Sequence, residues 1–184
     1  MFEKIIAKTA RSLEKNNIPY MLIGGQAVLL YGSPRLTKDI DITLGVGMDK
    51  LDSIKKVLIN AGLEPIPDNP DDFAKRTFVL PARDKKSHIR VDFIFSFSPY
   101  EKEAIERAQG VRIGRTNVKF ARPEDIIIHK IFAGRPRDIE DARIILLKNP
   151  SCDLKYIEKW LKEFNKMAED KNLLRIFKEL KKNP

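Results

Sequence analysis

The sequence predicts an α/β protein: a mixed β-sheet flanked by helices, followed by a carboxy-terminal helical extension. Three observations carry that expectation. Stretches with apolar residues at helical spacing interleave with short runs of strand length, bounded by Gly, Pro and Asn. Two short runs, 111–113 and 118–120, flank a polar Gly-containing turn, as in a hairpin. From residue 153 onward only helical periodicity remains. With 184 residues, 42% apolar and 33% charged, the chain supports a core of ordinary size under a highly charged surface.

Each element has its own signal. Phe2, Ile5, Ile6, Ala10 and Leu13 recur at helical spacing, and Asn16-Asn17 ends that pattern. Residues 19–23 read as a short buried strand stopped by Gly24-Gly25, and 26–31 as a helix starting directly on those glycines. Gly and Pro make 32–38 a loop, and 39–44 alternates polar with apolar residues as a half-buried strand does. Leu51, Ile54, Val57, Leu58 and Ala61 form one helix face, closed by Gly62. The Pro/Asp-rich stretch 65–72 reads as a surface loop. Strands are expected at 77–80 and 88–95 around a polar turn at 83–86, then a helix over 99–109 ended by Gly110. Helices at 123–132 and 138–147 are separated by Gly134-Arg135-Pro136. In the helical remainder, Ile157, Trp160, Leu161, Phe164 and Ala168 make one apolar stripe, and Leu173, Ile176, Phe177 and Leu180 another. Both read as core. The expected division is a domain over 1–147 with an extension, 148–184, packed on it.

Composition removes several kinds of chemistry. One cysteine, Cys152, and two histidines, His88 and His129, can build neither a disulfide framework nor a Cys/His zinc site. No apolar run approaches the ~20 residues of a membrane helix, and the first residues lack the pattern of a secretory signal. The expectation is a soluble, cytoplasmic protein with no membrane partner, whose reactive groups are carboxylates, Lys and Arg. A net charge of +9 favours a phosphate-bearing partner. The excess is spread out, with 20 basic and 15 acidic residues over 1–121 and 15 and 11 over 122–184, so mixed solvated helix faces explain part of it.

The densest chemistry lies between Ile23 and Ile42. Gly24-Gly25 stands at a strand-to-helix junction, and thirteen residues later Asp39 and Asp41 share one face of a strand, their Cα atoms roughly 6–7 Å apart. Carboxylates this close repel unless a cation lies between them, and Mg²⁺ prefers such oxygen ligands together with substrate phosphates. Glycines allow backbone amides to approach a phosphate at the positive end of the following helix. Asp92, in the apolar strand 88–95, is the third carboxylate; it either pairs with Arg90 two residues back or faces the same cation as the other two. Three such groups on neighbouring strands suit two metal ions, one at the attacking and one at the leaving oxygen.

Ile23-Gly24-Gly25, thirteen residues, then Asp39-Ile40-Asp41-Ile42 resembles the signature of the DNA-polymerase-β-like nucleotidyltransferase superfamily. Gly24-Gly25-Gln-Ala, Arg35-Leu-Thr-Lys-Asp39, the block Pro123 to Lys130, and Arg137-Asp138-Ile-Glu-Asp141 are similar to the AbiEii/MenT-type minimal nucleotidyltransferases, many of them toxins of toxin–antitoxin pairs. The resemblance spans about residues 20–147. It implies a nucleotidyltransferase-like mixed sheet and an enzyme moving an NMP from an NTP to a hydroxyl of a macromolecule, tRNA or protein, with an antitoxin as a further partner. It assigns Asp39, Asp41 and Asp92 to catalysis and to Mg²⁺ or Mn²⁺. Gly24, Gly25, Ser33, Arg35, Lys38, Lys130, Arg137 and Asp138 are assigned to the nucleotide. Arg35 and Lys38 are otherwise loop salt-bridge partners and Lys130 an exposed helix end; Arg137 with Asp138 and Asp141 is either a local ion-pair cluster orienting Lys130 or a set of acids at a helix N-terminus favoured by the dipole. The competing readings are a metal-dependent nuclease, which leaves the glycines unexplained, and a non-catalytic binding module of the same fold.

Overall fold

The computed structural model describes residues 1–96, 98–168 and 171–182. Two compact units share the chain: 1–26 with 36–121, and 27–35 with 122–184. The chain passes between them within helix α2 (Gly24–Tyr31) and in the loop that follows.

In the first unit, α1 (Phe2–Lys15), β1 (Tyr20–Ile23), β2 (Asp39–Leu44) and α3 (Leu51–Ala61) lie where the apolar spacing places them. They are followed by β3 (Leu63–Pro65), α4 (Pro70–Thr77), β4 (Val79–Asp84), β5 (Arg90–Phe95), α5 (Pro99–Arg107), β6 (Gln109–Ile113) and β7 (Thr116–Phe120). The seven strands form one mixed sheet in the order β3-β4-β5-β2-β1-β7-β6. β2 runs parallel to β5 and antiparallel to β1, which runs parallel to β7; the outer pairs are antiparallel. Central strands of such a sheet must be apolar on at least one face. Met21, Leu22, Ile40, Ile42, Leu44 and Phe93 are accordingly fully buried. α1 packs on α3 and β7 through Ile6 and Leu13, and the Ser12 hydroxyl donates to the Val57 carbonyl at 3.2 Å.

Four expectations are corrected here. The stretch 65–72 is not one loop: Pro65 ends β3, and α4 begins at Pro70. Pro at the first helical position, Asp71 and Asp72 in the first turn and Lys75 and Arg76 in the last are proper helix signals that the Pro/Asp composition hides. The strand expected at 77–80 starts only at Val79, because α4 runs to Thr77 and Phe78 closes it with φ 57°. β4 then continues through Asp84, whose Oδ2 accepts from the Ser87 amide and hydroxyl, both at 2.8 Å, and holds the turn at 85–87 in place of the expected 83–86. α5 stops at Arg107, so Gly110 lies inside β6, where the Asn117 side chain fills the space a Cβ would take.

The second unit is helical: the end of α2, then α6 (Pro123–Ala133), α7 (Pro136–Lys148), α8 (Leu154–Met167) and α9 (Leu173–Lys182). α6 carries Ile126, Ile127, Ile128 and Ile131, all buried, and packs against α7, α8 and α9. α6 and α7 thus group with the carboxy-terminal helices. The helical remainder foreseen from Asp153 onward is α8 and α9, with Ala168 closing α8; Glu169, Asp170, Asn183 and Pro184 lie outside the described residues. Among the described residues no helix is long and apolar enough to cross a membrane.

Candidate active site

In the first unit the strand register builds the site. β1 and β2 pair Ile23 with Asp41, so the turn at Gly24-Gly25 emerges beside that carboxylate. β2 and β5 pair Asp41 with Asp92 and Asp39 with Arg90. Residues opposite each other share a face, and so do residues two apart. Asp39, Asp41, Asp92 and Arg90 therefore stand on one face of the sheet. This face lies on interior strands, because β4 and β3 extend the sheet beyond β5 and β1, β7 and β6 extend it beyond β2.

Gly24 opens α2 with φ 63°, a conformation that side chains rarely adopt, and a Cβ there would collide with the Asp41 carboxylate. The first glycine is thus needed twice, for the turn and for the space. Gly25 is buried. Thr37, which sequence reasoning passed over, donates its hydroxyl to Asp39 Oδ1 at 3.3 Å and to the Asp39 carbonyl at 3.2 Å; its place two residues before an aspartate was the available signal.

Asp92 does pair with Arg90. Arg90 Nε donates to its Oδ1 at 2.8 Å and Oδ2 at 3.0 Å, with the arginine side chain 53% exposed and the aspartate 15%. The Asp92 hydrogen bonds hold the guanidinium proton more tightly than usual; partial burial opposes this, and the charges of Asp92, Asp39 and Asp41 reinforce it. The donor set is all carboxylate oxygen, which suits a hard divalent cation, and a cationic side chain already lies against it. In this conformation no three His, Cys, Asp or Glu side chains among the described residues converge as metal ligands.

The second unit holds a different cluster. Lys130, from the last turn of α6, donates a hydrogen bond to Asp138 Oδ1 at 2.6 Å and forms an ion pair with Asp141 Oδ2 at 3.1 Å. Arg35 reaches Asp141 at 3.3 Å, and Arg135 Nε bonds Asp138 at 2.5 Å. Lys130 is buried, so the exposed helix end weighed for it is excluded, and the ion cluster joins Asp138 and Asp141 to Lys130, Arg135 and Arg35, with the Arg137 expected in it exposed instead. Asp138 and Asp141 lie one turn apart on α7, which is why both face the same ammonium. Arg135 was missed; its signal was the three-residue spacing to Asp138. Lys38 and Arg137 are exposed, and Ser33 is half-buried in the loop after α2. That loop is fixed within the unit by Lys148 Nζ on the Gly32 carbonyl at 2.9 Å and Asn149 Nδ2 on the Tyr31 carbonyl at 3.0 Å.

Burial pushes the Asp138 carboxyl up, but its bonds to Arg135 and Lys130 and their charges pull further, leaving it below the ordinary carboxylate range. A depressed folded-state pKa contributes stability above the unfolded value, 3.8, and that contribution is lost as pH falls through the folded value. Wild type is expected to lose stability on acidification below about pH 4 more steeply than Asp138→Asn, measured as urea midpoints across that range. Equal slopes would remove Asp138 from the acid response.

A Gly-Gly turn beside paired strand carboxylates, on a mixed sheet of this order, defines a nucleotidyltransferase-like protein, and the solved structures agree on the fold. An antigenic nucleotidyltransferase-like protein from Paracoccidioides brasiliensis is 17% identical, with 95% of this chain and 92% of that one covered and a TM-score of 0.57. The solution structure of the antibiotic-resistance factor ANT(2'')-Ia gives 18%, 91% and 93%, and 0.61. Its crystal structure in complex with adenylyl-2''-tobramycin gives 19%, 91% and 98%, and 0.60. No curated protein sequence matches the chain. Residues 8–183 match the family described as "Nucleotidyl transferase AbiEii toxin, Type IV TA system"; the chain belongs to this family and is a nucleotidyltransferase.

Proposed function

We propose that the protein transfers a nucleoside monophosphate from an NTP to a hydroxyl of a macromolecule, tRNA for preference, as the toxin of a toxin–antitoxin pair. The register that sets Asp41 against both Ile23 and Asp92 supports this reading, because Asp39, Asp41 and Asp92 then share one sheet face with the glycine turn beside Asp41. Asp39 and Asp41 would hold Mg²⁺ or Mn²⁺ with the triphosphate, and Asp92 would serve the acceptor side. Bound there, the divalent ion neutralises phosphate oxygens and lowers the cost of the charge that builds up on transfer. The Gly24-Gly25 backbone receives the phosphates at the start of α2. Asp92 takes the proton of the attacking hydroxyl as its oxygen bonds the α-phosphorus; the α–β phosphoanhydride bond breaks and pyrophosphate leaves. Ser33, Arg35, Lys38, Lys130, Arg137 and Asp138 are the proposed nucleotide-side groups. The exposed Lys155, Lys159, Lys162, Lys166 and Lys178 of α8 and α9 favour an anionic acceptor.

Two measurements test this. NTP is expected to raise the thermal midpoint only when a divalent ion is present, and Gly25→Val is expected to abolish that rise, since a branched side chain blocks the backbone from the phosphate. Equal protection in EDTA would assign nucleotide binding to the basic residues alone. With labelled NTPs, total RNA and total protein, label is expected in RNA and to fall steeply with salt, as released counterions require. Label in protein alone moves the acceptor to protein, RNA cleavage without incorporation favours the nuclease, and no nucleotide binding favours the binding module.

A further inference from the structure

We propose that Arg90 is a resident counter-cation of the carboxylate cluster, which must release Asp92 before a divalent ion can be held there. The proposal rests on the reading of Asp39, Asp41 and Asp92 as divalent-ion ligands. Its observations are geometric. Arg90 stands opposite Asp39 in the register and two residues from Asp92 on the same strand, so its side chain rises from the same face as the three carboxylates. Its Nε binds both oxygens of Asp92, which are the atoms a cation on the acceptor side would use. The arginine is half-exposed and Asp92 is not, so the side chain has somewhere to go while the carboxylate stays. The charges of Asp39 and Asp41 also act on the guanidinium, so its positive charge is felt by all three carboxylates.

Two consequences follow from electroneutrality alone. Without Arg90 the three carboxylates repel one another, so the metal-free protein is less stable. A divalent ion arriving at the wild-type cluster must displace a hydrogen-bonded guanidinium and is therefore held more weakly. Arg90 sets the concentration of divalent ion at which the site loads.

The test is Mn²⁺ binding to the full chain without nucleotide, followed by the loss of the free-ion electron paramagnetic resonance signal. Arg90→Gln is expected to bind Mn²⁺ about tenfold more tightly than wild type, the scale of one hydrogen bond to a charged group. Its thermal midpoint should fall without metal and recover with it. Arg90→Lys, which keeps the charge without the planar fork, is expected to lie between the two. Unchanged or weaker binding in both variants overturns the proposal and makes Arg90 a support for Asp92. Asp41→Asn in the same assay separates the layers. If it abolishes wild-type binding while Arg90→Gln does not tighten it, the carboxylate reading stands and the Arg90 proposal falls. If wild type and Arg90→Gln both fail to bind Mn²⁺, the two fall together.

Discussion

Asp41→Asn is expected to reduce nucleotide transfer by about 10³-fold or more while leaving the protein folded and its thermal midpoint unchanged or slightly raised. Asp41 is central in two ways: it is the register partner of both Ile23 and Asp92, and its carboxylate fills the room left by the missing Cβ of Gly24. Asparagine keeps that shape but gives up the charge. Removing one of three neighbouring anions relieves repulsion, which is why stability should not suffer. Asp39→Asn and Asp92→Asn are expected to behave alike, read by incorporation of labelled nucleotide beside a melting curve. Full activity in Asp41→Asn would place the chemistry elsewhere. An inactive variant that is also unfolded would show Asp41 to be a structural residue.

The second large effect belongs to the helical unit. Lys130→Met should lower the free energy of unfolding by about 3 kcal/mol, the lower part of the range for breaking a buried pair. The ammonium is 9% exposed and lies between two carboxylates that are 4% and 10% exposed. Methionine matches its length and leaves both anions without their shared cation. The loss is held to the lower part of the range because Arg135 remains on Asp138 and Arg35 on Asp141. Adding Asp138→Asn to Lys130→Met should cost less than the two losses summed, since the second change removes an anion the first has stranded. Strict additivity in denaturant unfolding would mean the two groups do not interact.

The parts of this structure that were legible in the sequence are those whose signal is local. α1, α3 and β2 announce themselves by period, and the Gly-Gly…Asp-x-Asp spacing marks the candidate site because the glycines, the turn and the strand are close in sequence. Periodicity also puts Asp39 and Asp41 on one face. It does not say which strand lies beside β2, and the pairing of Asp41 with Asp92 across fifty-one positions is a tertiary fact. β3 is too short to show a period, and α4 was hidden by the Pro and Asp that begin it. The ion cluster was visible only as a run of charges. That Lys130 lies under it, and that Arg35 reaches Asp141 from 106 positions away, follows from packing. Glu124 and Asp125 stand in the first turn of α6, yet both are buried: Glu124 accepts from the Asp153 amide at 3.0 Å and Asp125 from the Tyr156 hydroxyl at 2.8 Å.

The parallel pairing of β2 with β5 also has a consequence in time. A parallel pair requires a long crossover, and here the chain must make α3, β3, α4 and β4 before β5 exists to be paired. During synthesis the glycine turn and the first two carboxylates leave the ribosome early, while the third joins them only when residues 90–95 dock beside β2. Closing so long a loop is among the slower steps of folding. A nascent chain cut short before β5 carries the glycine turn with Asp39 and Asp41 but lacks the strand that sets Asp92 beside them, so the three carboxylates come onto one sheet face only once β5 has been made and docked.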